Sequence, residues 1–334
     1  MDGFQYINMN RLSVTCRLLL IFVLNLLFIG CSFVQPAPPI TIINTQVSET
    51  DTVITIPGLS QCRKDIQAGA SINADKAVYL MVHGCRGSAG SFKKLAEVLE
   101  YQGKQALCYT YNDRDKLSDV ASHLSATVGE LSGYLNNPEI TLIGHSQGGL
   151  IARKSVTKEF LTGKAASLTL VTVSAPLSGI RAAEACGKTS IRLATLGIHD
   201  LACRLISGGK WFEITSSSNY IQTPGELQSS VVKYALVMTD ETGSCREYDA
   251  SGNCLRDDYV FSLREQQLPV ATQGLQALSK VIKDGHVAVV GENEKVPYKL
   301  IYALQDLEVL EKTPVYEEAK FSEFLQELYL ASNP

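Results

Sequence analysis

Between residues 77 and 310 the chain alternates two kinds of apolar spacing. Short apolar runs occur at 77–82, 105–111, 140–143, 167–173 and 233–239. Runs of that length predict strands, and the near-continuous one at 77–82 predicts a central parallel strand covered on both faces. Between them, apolar residues recur at helical spacing. They stand at 92, 95, 96, 98 and 99 within 92–101, then across 117–135, from Leu150 towards Leu161, and again over 298–310. That periodicity predicts amphipathic helices. Strand and helix in turn predict an α/β layer structure. Upstream, residues 41–57 alternate apolar and polar positions and predict one or two edge strands. Residues 180–228 break the alternation and predict an insertion.

One junction between these elements carries chemistry. The strand at 140–143 runs into Gly144-His145-Ser146-Gln147-Gly148, and a helical pattern follows. A serine on so sharp a turn must take a strained backbone, and its neighbours two residues away must be small. The turn lifts the Ser146 hydroxyl off the sheet at a helix N-terminus, where free N–H groups favour developing negative charge. Strand, G-x-S-x-G and helix in that order mark a nucleophile elbow.

These residues resemble the α/β-hydrolase family, in its lipase and esterase branch, over roughly residues 76–310. The resemblance implies an α/β-hydrolase fold: a mostly parallel central sheet, helices on both faces, and a cap or lid at about 180–228. In that family an apolar strand ends in His-Gly-x-x-Gly, and here 77–82 leads into His83-Gly84-Cys85-Arg86-Gly87. By resemblance the backbone N–H groups of Cys85 and Gln147 form the oxyanion hole, and His83 holds the loop in shape. In the cap, Leu201, Leu205, Ile206, Trp211 and Phe212 either line an acyl pocket or form ordinary core.

A serine hydroxyl needs a base within reach, and the base needs an orienting acid. On this fold the order along the chain is Ser, then Asp or Glu, then His. Only His199 and His286 follow Ser146. His199 falls in the cap, whereas His286 lies between the last strand pattern and the helix at 298–310, where the family carries its base. For the acid, Arg256-Asp257-Asp258-Tyr259-Val260-Phe261-Ser262-Leu263 resembles the Asp-Gly-x-Val-Ser-Leu run of related lipases. That likeness puts Asp258 first, with Asp257 and then Asp240 as alternatives. The expected activity is ester hydrolysis through an acyl-serine. An acyltransferase or thioesterase using the same triad, or a non-catalytic binding module, are the other readings. No cofactor and no metal site is expected.

The N-terminus reads as an address. Arg11 and Arg17 precede an apolar run at 18–30, which is short for a membrane span. Phe28-Ile29-Gly30-Cys31 resembles the lipobox of bacterial lipoproteins. The expected organisation is therefore a signal peptide at 1–30, a lipidated Cys31 with a proline-bearing linker at 31–40, and the hydrolase domain at 41–334. A cell-envelope location follows, with a membrane held through Cys31, the outer membrane in a two-membrane bacterium. Export permits disulfides. Of nine cysteines, seven remain once Cys16 and Cys31 are set aside. Cys245 with Cys254, Cys186 with Cys203 and Cys62 with Cys108 are the expected pairs, leaving Cys85 free. A net charge of −4, 45% hydrophobic and 19% charged residues describe a globular domain and give no reason to expect a nucleic-acid partner.

Overall fold

A seven-stranded sheet organises the chain. In the computed structural model, residues 51–62, 69–136, 139–162, 166–184, 208–267, 277–291 and 296–330 are described. The strands are β1 Asp51–Ile54, β2 Leu59–Gln61, β3 Ala70–Asn73, β4 Val78–Val82, β5 Gln105–Tyr109, β6 Glu139–His145, β7 Ser167–Val173, β8 Val231–Asp240, β9 Cys245–Tyr248, β10 Cys254–Asp257 and β11 Leu278–Lys283. The main sheet runs β11-β8-β7-β6-β4-β5-β2. All its neighbours are parallel except β2 against β5. The edge strands expected at 41–57 appear, within the described part, as β1. It leaves the main sheet and pairs antiparallel with β3.

Alternate side chains of β4 go to opposite faces, and both faces are dry. Leu80 and Val82 join one core with Leu124, Leu131 and Ile151, which belong to helices α2 (Leu117–Tyr134) and α3 (Gln147–Ser155). Tyr79 and Met81 join the other with Leu95, Leu99, Leu300 and Leu304, from α1 (Lys93–Tyr101) and α4 (Tyr298–Asp306). Each such side chain contributes about 1.5–3 kcal/mol by leaving water. This two-faced burial explains the continuous apolar run at 77–82.

A C-terminal helix, α5 (Glu318–Leu330), extends the second layer. Phe321 and Leu325 are buried one turn apart, and Phe324 stacks on Tyr101 at 4.0 Å between ring centroids. In the insertion, the described pieces are 3-10 turns at Arg181–Ala183 and Gly208–Phe212 and a short helix at Asn219–Gln222. The Glu213 carboxylate reaches back to α2 and accepts from the Leu117 N–H and from the Ser118 hydroxyl at 2.6 Å. It thus caps a helix whose own N-cap, Lys116, makes no side-chain cap.

Cys62 is bonded to Cys108 and Cys245 to Cys254, while Cys85 carries a free thiol. The signal, Cys31, the linker, the Cys186–Cys203 pair, His199, Leu201, Leu205 and Ile206 lie outside the described residues. Among the described residues no helix is long and apolar enough to cross a membrane.

Candidate active site

β6 ends at His145 and α3 begins at Gln147, so Ser146 alone makes the turn. It sits at φ 54° and ψ −125°, a region that residues with a Cβ rarely enter. Its neighbours leave no alternative. A Cβ at Gly148 would fall on the carbonyl oxygens of Val82 and His83, and one at Gly144 on the backbone of Gly148 and Gly149. Elbow, strand β4 and helix α3 are therefore packed backbone to backbone.

His286 follows β11, which lies beside β8 in the sheet. Its Nε2 stands 3.0 Å from the Ser146 Oγ. Its Nδ1 stands 2.9 Å from Oε1 of Glu241. The acid expected behind the ring was Asp258, with Asp257 or Asp240 as alternatives; the structure puts Glu241 there instead.

The reason is strand parity. β8 ends at Asp240, and along it Val237 and Thr239 are buried while Met238 and Asp240 are half-exposed. Period-two alternation carries Glu241 inward with Thr239 and turns Asp240 outward. There Asp240 pairs with Lys283 at 3.1 Å. Asp257 is exposed on β10 and accepts the Tyr259 N–H at 2.8 Å. Asp258 is buried, but it holds backbone: its carboxylate accepts the N–H groups of Val287 and Ala288 at 3.1 Å. The sequence carries no such signal, since Val237-Met238-Thr239-Asp240-Glu241 does not alternate apolar and polar residues and Tyr234–Val237 are buried on both faces of β8.

Glu241 is fully engaged. Oε1 accepts from the Ser174 hydroxyl at 2.8 Å and the Thr239 hydroxyl at 3.0 Å, besides facing the imidazole. Oε2 accepts the N–H groups of Val260 at 2.6 Å and Phe261 at 2.8 Å. Burial alone would raise its carboxyl. The hydrogen bond and charge of His286 and those two N–H groups outweigh it and bring the group below the ordinary value. Phe261, whose backbone Glu241 fixes, packs its ring edge-on to His286 at 4.8 Å. His145 completes the frame. Its Nε2 lies 2.8 Å from the His286 carbonyl, and burial and the neighbouring His286 charge lower its pKa to about 3. It is thus neutral at ordinary pH and donates Nε2–H to that carbonyl, tying the elbow to the base loop.

On the other side of Ser146 lies the His83–Gly87 turn. A Cβ at Gly84 would stand 2.9 Å from the Ser146 Cβ, so the loop runs directly against Ser146. Among the described residues, neither the Cys85 N–H nor the Gln147 N–H meets a protein acceptor. His83 shapes the loop. Its Nδ1 is 2.9 Å from the Gly84 carbonyl, its ring stacks on Tyr111 at 4.3 Å, and the Tyr111 hydroxyl donates to its carbonyl at 2.7 Å. Asp113 grips the next residues. It accepts the Arg86 N–H at 2.8 Å, where Arg86 has φ 58°, and pairs with the buried Lys210 at 3.4 Å. Lys210 Nζ also meets the Cys85 sulfur at 2.9 Å. Of the cap residues expected either to line an acyl pocket or to form ordinary core, Phe212 is exposed.

Residues 79–235 match the Palmitoyl protein thioesterase family. The matched stretch holds Ser146 and stops short of Glu241 and His286. No curated protein matches the sequence. Similar solved structures include the mature lipase BlEst2 of Bacillus licheniformis, at 15% identity over 74% of this chain and 98% of that one, with a TM-score of 0.45. Esterase B of Lactobacillus rhamnosis shows 13% identity over 83% and 90%, with a TM-score of 0.45. An α/β-hydrolase of Vibrio vulnificus shows 16% over 70% and 72%, with a TM-score of 0.41. The α/β-hydrolase fold of this chain stands on its own strand order and on the Ser146 elbow.

Proposed function

We propose that this chain is a serine hydrolase of ester bonds that works through an acyl-serine, with Ser146 as nucleophile, His286 as base and Glu241 as orienting acid. The observation that carries the reading is the unbroken relay from Ser146 Oγ to His286 Nε2 at 3.0 Å and from Nδ1 to Glu241 at 2.9 Å. Glu241 holds the proton on Nδ1, so Nε2 is left with a lone pair facing the hydroxyl. Ser146 adds to the ester carbonyl as its proton passes to Nε2. The N–H groups of Cys85 and Gln147 receive the oxyanion, an arrangement worth on the order of 100-fold or more per donor. The imidazolium returns its proton to the leaving alkoxide, and an acyl-serine remains. Water then enters, gives a proton to Nε2 and attacks the acyl carbon. The acid leaves as Ser146 recovers its proton.

Ser146→Ala should abolish turnover of a short p-nitrophenyl ester and labelling by a fluorophosphonate probe. Undiminished activity in that variant refutes the assignment. A thioester as the scissile bond is the second reading, favoured by the family match over 79–235. The two separate on the ratio of kcat/KM for paired oxygen esters and thioesters of the same acid.

The N-terminal address belongs to the same proposal. Lipid on Cys31 would hold the domain at an envelope membrane through the linker at 31–40, the membrane partner and location expected from the sequence. Cys31→Ser should then release the protein from the membrane fraction, and retention there counts against the anchor.

A further inference from the structure

Between Glu241 and Asp258 the chain leaves the main sheet, forms the antiparallel ribbon β9–β10 and returns. The ribbon is closed by Cys245–Cys254. Its root touches the acid and the base loop at once. On one side, the Ser244 hydroxyl donates to the Glu241 carbonyl at 2.6 Å, and the Asp258 N–H donates to the Ser244 carbonyl at 3.1 Å. On the other, Asp258 grips the residues around His286. Its carbonyl accepts the His286 N–H at 3.0 Å, and its carboxylate accepts the N–H groups of Val287 and Ala288. A Cβ at residue 285 would fall on that carboxylate, so the approach needs Gly285. Asp258 itself is held by Arg246, whose Nε donates to Oδ1 at 2.6 Å. Arg246 follows Cys245 directly, and Cys245 is opposite Asp257 in the ribbon register.

We infer that the disulfide-closed ribbon positions the base: Arg246 locks Asp258, and Asp258 fixes the backbone of 285–288 so that the His286 ring reaches Ser146 and Glu241 together. The inference rests on the serine-hydrolase reading. Asp258 and Arg246 act through His286 and touch no reacting atom, so they are positioning residues. The ribbon lies outside the seven-stranded sheet, so opening it leaves both cores intact. Cys254 is exposed and Cys245 half-exposed, whereas Cys62 and Cys108 are buried. A dithiol reductant therefore reaches the ribbon bridge first. One of its thiolates attacks a bridge sulfur, the S–S bond breaks, two protein thiols form and the reagent leaves as its cyclic disulfide.

The test compares the full chain with Asp258→Asn, Arg246→Ala, Arg246→Lys and the double variant Cys245→Ala/Cys254→Ala. Readouts are kcat and KM on a p-nitrophenyl ester, and the downfield proton resonance of His286 Nδ1–H. Expected are a fall in kcat on the order of 100-fold for Asp258→Asn, the size for a reacting group displaced by about 1 Å, and an unchanged KM. Loss of the resonance should accompany it, and Arg246→Lys should recover part of what Arg246→Ala loses. The ribbon-opened variant should shift in the same direction. If Asp258→Asn does not fold, Arg246→Ala reads the same contact from its solvent-facing side. Variants that lose thermal stability but keep kcat and the resonance overturn the inference. Failure of the unaltered protein to turn over ester or take up the fluorophosphonate at Ser146 strikes the underlying reading instead.

Discussion

Glu241→Gln separates two accounts of the acid, because the amide is isosteric but must choose which way to face. In the native site Oε2 accepts two backbone N–H groups, from Val260 and Phe261, while Oε1 faces the imidazole and the hydroxyls of Ser174 and Thr239. Among the described residues these two N–H groups meet no other acceptor, and leaving the buried Phe261 N–H unpaired costs about 1–3 kcal/mol. The amide oxygen therefore stays with Val260 and Phe261, and the NH2 turns towards His286. An NH2 facing Nδ1 makes Nδ1 an acceptor and moves the ring proton to Nε2, against the competing pull of the Ser174 hydroxyl oxygen 2.9 Å from Nδ1. Nε2 then points a proton at Ser146 and no longer serves as base. The expected loss is about 10⁴-fold in kcat, which corresponds to about 5.4 kcal/mol of transition-state stabilisation. KM should change little, since Glu241 is 1% exposed and lies behind the ring. Steady-state kinetics on a p-nitrophenyl ester, beside the rate of fluorophosphonate labelling, measure it. A Glu241→Gln enzyme retaining a tenth or more of the native kcat would falsify the assignment. So would a loss from Asp258→Asn larger than that from Glu241→Gln.

Three more perturbations follow from the same contacts. Gly148→Ala drives a methyl group into the carbonyls of Val82 and His83. Backbone cannot yield there as a side chain would, so a loss of about 1–3 kcal/mol in urea unfolding and loss of fluorophosphonate labelling are expected. Asp113→Asn removes the counter-charge of the buried Lys210 and weakens the grip on the Arg86 N–H. With Asp113 partly open to solvent, the cost should be about 1–3 kcal/mol, measured by urea unfolding, with a lower kcat as the oxyanion turn loosens. His145, with its folded pKa lowered to about 3 against 6.5 unfolded, binds a proton more readily in the unfolded chain. Its contribution is complete above pH 6.5 and drains away as pH falls towards 3, removing about 3 kcal/mol by pH 4. Replacing His145 with Gln should flatten that part of the stability–pH curve, and an unchanged slope would reject the account.

The sequence was most legible where one residue type has one physical use. The run at 77–82 is apolar throughout because β4 is covered on both faces. Gly144 and Gly148 flank Ser146 because backbone packs where their side chains would be. Chain order left only His199 and His286 after Ser146, and the family resemblance, which implies a base between the last strand and the final helix, chose His286. Legibility failed where the residue type has many uses. Carboxylates end strands, cap helices and sit in solvent, so a local likeness at 256–263 decided the expectation, and the parity of β8 emerges only from the burial in the fold. That likeness nonetheless led to a buried aspartate one loop from the base. The two carboxylates share the placing of one imidazole, since Glu241 holds the ring through Nδ1 and Asp258 holds the backbone that carries the ring. A motif comparison reads neighbouring residue types and does not distinguish holding a side chain from holding its main chain. The distinction lies in which face of β8 each position takes, and residues 237–241 state it through alternate burial. The α5 helix was missed for a different reason. Phe321, Phe324, Leu325 and Leu328 recur at i, i+3, i+4 and i+7, so the helical signal was present. It lies beyond the 76–310 span of the resemblance, and its pairing with Tyr101 depends on α1, more than two hundred residues earlier in the chain.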